Sequence, residues 1–163
     1  MGVLDADRLI GLRRRPLIGG MVHRLLRYAS GIEVPDSVEI GVDFQVRHHG
    51  FGIVIHPFTR IGDHVRIFQG VTVGRGDVWV SRAESGFSRI DIGDHVWLCA
   101  GAKVIGGTPP LRVGTGTVVG ANAVLLRSTG DWEIWAGAPA RKVGEREPIS
   151  DRHETSADGQ GRS

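Results

Sequence analysis

The chain has 163 residues and a near-balanced charge, 20 basic against 18 acidic. That length fits one domain with short ends. Glycine accounts for 25 residues, about twice its usual ~7% share, yet without the G-X-Y period of collagen. No apolar run approaches the ~18 residues of a membrane helix, and the run Leu17–Val22 is too short for a secretory signal, so a cytoplasmic protein with no integral membrane segment is expected.

Residues 1–30 hold six arginines against two aspartates, including Arg13-Arg14-Arg15. The basic excess sits in this arm and not across the domain, which argues against a nucleic-acid binder. It suits a solvated face, or a contact with a membrane surface or partner. Two short helices fit, roughly 4–14 and 20–29, with Leu9, Leu12, Met21, Leu25 and Tyr28 spaced to form apolar stripes. The single Cys99 excludes an intrachain disulfide.

Residues 31–144 are different. Between 32 and 124 there are 25 Val or Ile and two Leu, a β-strand composition. The apolar residues recur every six positions: Val34, Ile40, Val46; then Ile55, Ile61, Ile67, Val73; then Ile92, Leu98, Val104; then Val113, Val119, Leu125. Gly often follows the first residue, as at Gly41, Gly62, Gly93 and Gly114. The fifth place is small or apolar, as at Val38, Val65, Val96 and Ala123. Such internal periodicity outranks local propensity.

A six-residue unit is one short strand and one tight corner. Three units close a triangular coil, and stacked coils pair as parallel strands into a solenoid. Its open ends need caps. The N-terminal helices and the segment around Trp132 and Trp135 are the candidates. Residues 74–91 interrupt the period, and insertions in solenoids collect on one face and often bind ligands. Residues 145–163 lose the period and read as a disordered tail.

The stretches His49-Gly-Phe-Gly-Ile-Val-Ile55, Ile61-Gly-Asp-His-Val, Gln69-Gly-Val-Thr-Val-Gly74, Gly101-Ala-Lys-Val-Ile-Gly106 and Ala136-Gly-Ala-Pro-Ala-Arg141 resemble the hexapeptide-repeat acyltransferases. Within them they are most similar to the serine acetyltransferases and their short relatives in polysaccharide gene clusters. The resemblance implies an all-β chain, a single-stranded left-handed parallel β-helix, over 31–144. It also implies an acetyl-CoA-dependent O-acetyltransferase, a homotrimer with sites between subunits, and no metal.

An imidazole, with an ordinary pKa of ~6.5, suits removal of a hydroxyl proton at neutral pH. His49 matches the family's catalytic histidine. His48 is the rival: counting back from Gly52 favours His49, and counting forward from Ile40 favours His48. Strand alternation would send the two rings to opposite sides. Glu33 falls where the family carries the carboxylate that orients the imidazole; a surface charge at a corner is the plain alternative. Ala100, Gly101 and Ala121 match the small residues along the coenzyme groove, and Arg127, Arg141 and Lys142 match cations near its phosphates. Tight corners and a solvated terminal turn explain the same residues without a ligand.

The chain departs from the serine enzymes in two places. His48 stands where they carry Asp, and Gly86, Phe87 and Ser88 stand where their loop has Arg-His-Pro. A pocket without those charges should discriminate poorly for serine. A sugar or other small hydroxyl acceptor fits better, and serine itself stays open if Arg82 or Arg89 replaces the lost contacts. Two other classes remain. One is a non-catalytic scaffold. The other is a metalloenzyme like the γ-class carbonic anhydrases, drawing on His49, His56, His64 and His95, though zinc would need three close histidines.

Overall fold

Each hexad folds as one short strand and one corner in the computed structural model, which describes residues 6–12 and 19–149. Three faces result. The first holds β1 (Glu39–Ile40), β4 (Thr59–Ile61), β7 (Ile90–Ile92) and β10 (Leu111–Val113). The second holds β2 (Gln45–Val46), β5 (Arg66–Ile67), β8 (Trp97–Leu98), β11 (Val118–Val119), β13 (Glu133–Ala136) and β14 (Arg141–Glu145). The third holds β3 (Val54–Ile55), β6 (Thr72–Arg75), β9 (Lys103–Gly106) and β12 (Val124–Leu125). The chain visits the faces in rotation, and coil stacks on coil through parallel pairs. The antiparallel pair β13–β14 ends the stack as a hairpin.

The register explains the period of six. Ile40 pairs with Ile61, Ile61 with Ile92, and Ile92 with Val113 on the first face. Val46, Ile67, Leu98, Val119 and Trp135 form the matching column on the second. Ile55, Val73, Val104 and Leu125 form it on the third. From Ile55 on, these residues are buried, and so are the fifth-position residues Val38, Val65, Val71, Val96, Ala102 and Ala123. Two inward residues per hexad fill the prism, and each buried Val or Ile contributes about 1.5–3 kcal/mol.

The N-terminal end is capped by α1 (Ala6–Leu12) and α2 (Gly19–Ser30). Ile10 and Val22 are buried in the core, and Leu9, Leu12, Ile40 and Val46 pack against it. The expected stripe therefore divides. Leu9 and Leu12 face the prism, whereas Met21, Leu25 and Tyr28 face outward. Among the described side chains of α2, Gly19 and Val22 are the buried ones, and a glycine gives no apolar signal to read. Arg13-Arg14-Arg15 and residues 150–163 of the expected tail lie outside the described residues.

The inserted loop between β6 and β7 is tied to itself. Arg75 Nη2 donates to the Val80 carbonyl at 2.8 Å, Arg82 Nη1 to the Phe87 carbonyl at 2.9 Å, and Ser85 Oγ to Asp77 Oδ2 at 2.6 Å. Phe87 is buried and anchors it. No helix among the described residues is long and apolar enough to cross a membrane.

Candidate active site

The edge between the second and third faces gathers His48, His49, Ala100, Gly101 and Ala121. Its corners are Arg47–Ile53, Phe68–Val71, Cys99–Ala102 and Gly120–Ala123, one above the other. Each contains a residue with positive φ: Gly52 (70°), Gly70 (71°), Gly101 (70°) and Asn122 (55°). The amides climb this edge, Gly70 N to the Phe51 carbonyl, Gly101 N to that of Gln69 and Asn122 N to that of Ala100. Ala100, Gly101 and Ala121 thus lie in line above His48 and His49. Their small side chains leave backbone accessible along one edge.

The lowest corner is longer than the others. Val46 to Ile55 spans nine residues, where Ile67 to Val73 and Leu98 to Val104 span six. The surplus forms a left-handed turn, with φ of 51° at His48, 61° at His49 and 65° at Gly50. Histidine is among the residues that tolerate this region. Gly50 has no substitute: an added Cβ would strike Val46 Cγ1 and lie 3.1 Å from Ile32 and Ile53. Gly50 is buried, and the turn closes through Gly50 N to the Arg47 carbonyl at 3.1 Å.

Both imidazoles are exposed at this turn. Alternation along a strand does not separate them, because neither is in a strand. His48 lies 5.7 Å from the Phe68 ring of the next coil, and His49 lies 6.4 Å from the Phe51 ring. Glu33 sits on the third face, bridged to Val54, with its amide donating to the Ile53 carbonyl at 2.8 Å. It is thus one strand away from the turn, and among the described residues no hydrogen bond joins it to His49.

The remaining expected residues lie elsewhere. Arg82 and Arg89 belong to the inserted loop, at the edge between the third and first faces. Arg82 stacks over Phe58 at 4.6 Å, and Arg89 Nε bonds Asp91 Oδ2 at 2.8 Å. Arg127 follows β12 at that same edge and is exposed. Arg141 and Lys142 are on β14, where the hairpin reverses direction. Arg141 donates to the Ala140 carbonyl, and Lys142 is held between Glu133 at 3.0 Å and Glu145 at 2.6 Å. Those two carboxylates push the Lys142 ammonium pKa up and occupy its charge. Of the three cations, Arg141 is closest in sequence to the hairpin tip, which hydrogen-bonds to Val124 on the third face.

Two residues carried no role in the acetyl-transfer reading of the sequence. Gln69 Oε1 is buried at the corner above the histidine turn with no hydrogen-bond partner among the described residues. Its position before Gly70, in line with Phe51, was the available signal. His56 lies at the loop edge, 4.8 Å from the Phe87 ring, and its Nδ1 accepts from the Phe58 amide. Burial first, then Arg82 and Arg75, push the His56 pKa down.

The four histidines of the metal reading occupy three edges: His49 the second–third, His56 the third–first, His64 and His95 the first–second. Among the described residues no group of three His, Cys, Asp or Glu is placed to hold a metal ion.

No family model matches the chain. The serine acetyltransferase of Staphylococcus xylosus is 34% identical over 131 residues, which is 80% of this chain and 56% of that protein. The chain thus spans a little over half the length of the curated relatives it matches. The crystal structure of serine acetyltransferase from Vibrio cholerae superposes with a TM-score of 0.69 at 27% identity, covering 88% of this chain and 53% of that one. That of serine acetyltransferase in complex with coenzyme A from Brucella abortus gives 0.67 at 25% identity, covering 88% and 54%. The architecture is the left-handed parallel β-helix of these neighbours, as the sequence resemblance implied.

Proposed function

We propose that this chain, similar to the serine acetyltransferases over four-fifths of its length, transfers an acetyl group from acetyl-CoA to the hydroxyl of a small acceptor. One observation carries the reading: the exposed His48–His49 turn lies at the foot of the edge lined by Gly70, Ala100, Gly101 and Ala121. An extended pantetheine chain needs such an edge, and the thioester at its end needs an adjacent base.

His49 acts as that base. It takes the proton from the acceptor hydroxyl as the oxygen attacks the thioester carbonyl. The tetrahedral intermediate then collapses, the C–S bond breaks, and the thiolate of coenzyme A leaves and recovers the proton from the imidazolium. No covalent enzyme intermediate is required. Backbone amides at the corner stabilise the oxyanion. Glu33, one strand from the turn, would have to swing toward the imidazole to steady it, and Arg141 is the best placed of the three cations for coenzyme phosphates.

The relatives support serine as the acceptor. The chain's own residues favour a second reading, because Arg82 and Arg89 are turned to loop and strand partners and His48 replaces a carboxylate. The loop and the histidine turn also occupy different edges of one prism. A homotrimer in which one subunit's loop meets its neighbour's His49 would bring them together. Release of free thiol from acetyl-CoA, measured against serine, other amino acids and sugars, tests the proposal. Release dependent on serine supports the first acceptor, release with another hydroxyl the second. No release with any acceptor, and no coenzyme binding by calorimetry, overturns the enzyme reading in favour of a scaffold.

A further inference from the structure

Helix α2 turns an apolar stripe away from the protein. Met21, Leu25 and Tyr28 recur at i, i+4 and i+7, and are 69%, 45% and 86% exposed. Val22 and Gly19 on the other side are buried. A surface helix ordinarily directs its apolar stripe to the core and its polar residues to water. Here the core side is already filled, and the stripe is left over.

The segment that carries the stripe is basic in sequence. Arg24 is exposed next to it. The helix sequence Gly19–Ser30 carries no acidic residue. The whole segment 1–30 has six arginines against two aspartates. A second copy of the chain is a poor occupant. It would bring two basic segments together, and three side chains fall far short of the ~800 Å² per partner of a stable interface. An anionic lipid surface meets both features. Its acyl boundary takes the apolar side chains and its phosphates attract the arginines. Tyrosine suits that boundary, with an apolar ring and a polar tip.

We propose that α2 is a peripheral membrane-docking helix, lying in the plane of an anionic bilayer with Met21, Leu25 and Tyr28 inserted. At about 1.5 Å per residue its twelve residues reach ~18 Å, enough to lie in the surface and not to cross it. The inference is independent of acetyl transfer.

Sedimentation of the full chain with vesicles tests it. Binding to phosphatidylglycerol–phosphatidylcholine vesicles should exceed binding to pure phosphatidylcholine at least about tenfold and weaken in high salt, as charge attraction requires. The double variant Met21→Asp with Tyr28→Asp should lose at least about tenfold of that binding. Its melting temperature should be unchanged, because both side chains are exposed. Absence of binding to the anionic vesicles overturns the proposal, as does undiminished binding by the double variant. Light scattering that shows self-association dependent on Met21 and Tyr28, without vesicle binding, also overturns it and assigns the stripe to a second copy.

Discussion

The indole of Trp132 occupies the space that a side chain at Gly116 would need. Gly116 lies on the first–second edge, where Asp43, His64, His95, Gly116 and Trp132 all have positive φ. His64 and His95 stack at 4.8 Å with planes 6° apart, and Trp132 reaches across the coil of Gly116 to lie 6.3 Å from His95. Arg146 completes the column over Trp132 at 5.5 Å. Gly116→Ala should displace the indole and cost about 2–3 kcal/mol, in the range of overpacked sites. Thermal unfolding should show it as a fall of roughly 5–10 °C for a domain of this size.

Asp43 ties this edge to pH. His64 Nδ1 is 3.0 Å from its Oδ2, and Gln45 Nε2 donates to its Oδ1 at 3.1 Å. The His64 bond foremost, then that of Gln45, holds the Asp43 carboxyl below its ordinary value. A depressed folded pKa stabilises above the ordinary carboxylate value near 4, and the gain is lost as pH falls through the folded value. Asp43→Asn should therefore lower the urea midpoint at pH 7, and the difference from wild type should shrink as pH falls through the folded value. The side chain is half exposed, so the difference should be only about 0.5 kcal/mol.

Replacing His49 with Ala should reduce thiol release about 10²–10⁴-fold, the range for loss of a general base, while calorimetry still detects coenzyme A. His48→Ala should stay within several-fold of wild type. The reverse pattern would move the base by one residue along the turn.

Ala121 is exposed on the groove edge. Ala121→Trp should raise the KM for acetyl-CoA about tenfold or more by filling the path of the pantetheine chain, while the melting temperature holds. An unchanged KM would place the coenzyme on another edge.

Most of the prism was legible because inward positions recur every six residues, and the columns from Ile61 to Val113 and from Ile55 to Leu125 follow that count. The hand of the coil was not, since spacing is the same for either hand. Val46 to Ile55 is three residues longer than a hexad, but that spacing does not show that His48 and His49 are both left-handed in a turn. Lys142 read as a free cation because its partner Glu133 meets it only through the hairpin's reversal. The repeated Gly-Asp-His-Val at 62–65 and 93–96 was visible as sequence. Its stacked imidazoles are a product of register.

The surplus of three residues at the histidine corner separates architecture from chemistry in this chain. Excising 48–50 would join Arg47 to Phe51 and leave a corner of the same length as Phe68–Gly70. The remaining coils would keep their phase, because Phe51 and Gly52 already stand in line with Gln69 and Gly70. Such a shortened chain would be an isostructural blank. It would keep the prism and its coenzyme edge while lacking both imidazoles, so scaffold and base could be assayed apart.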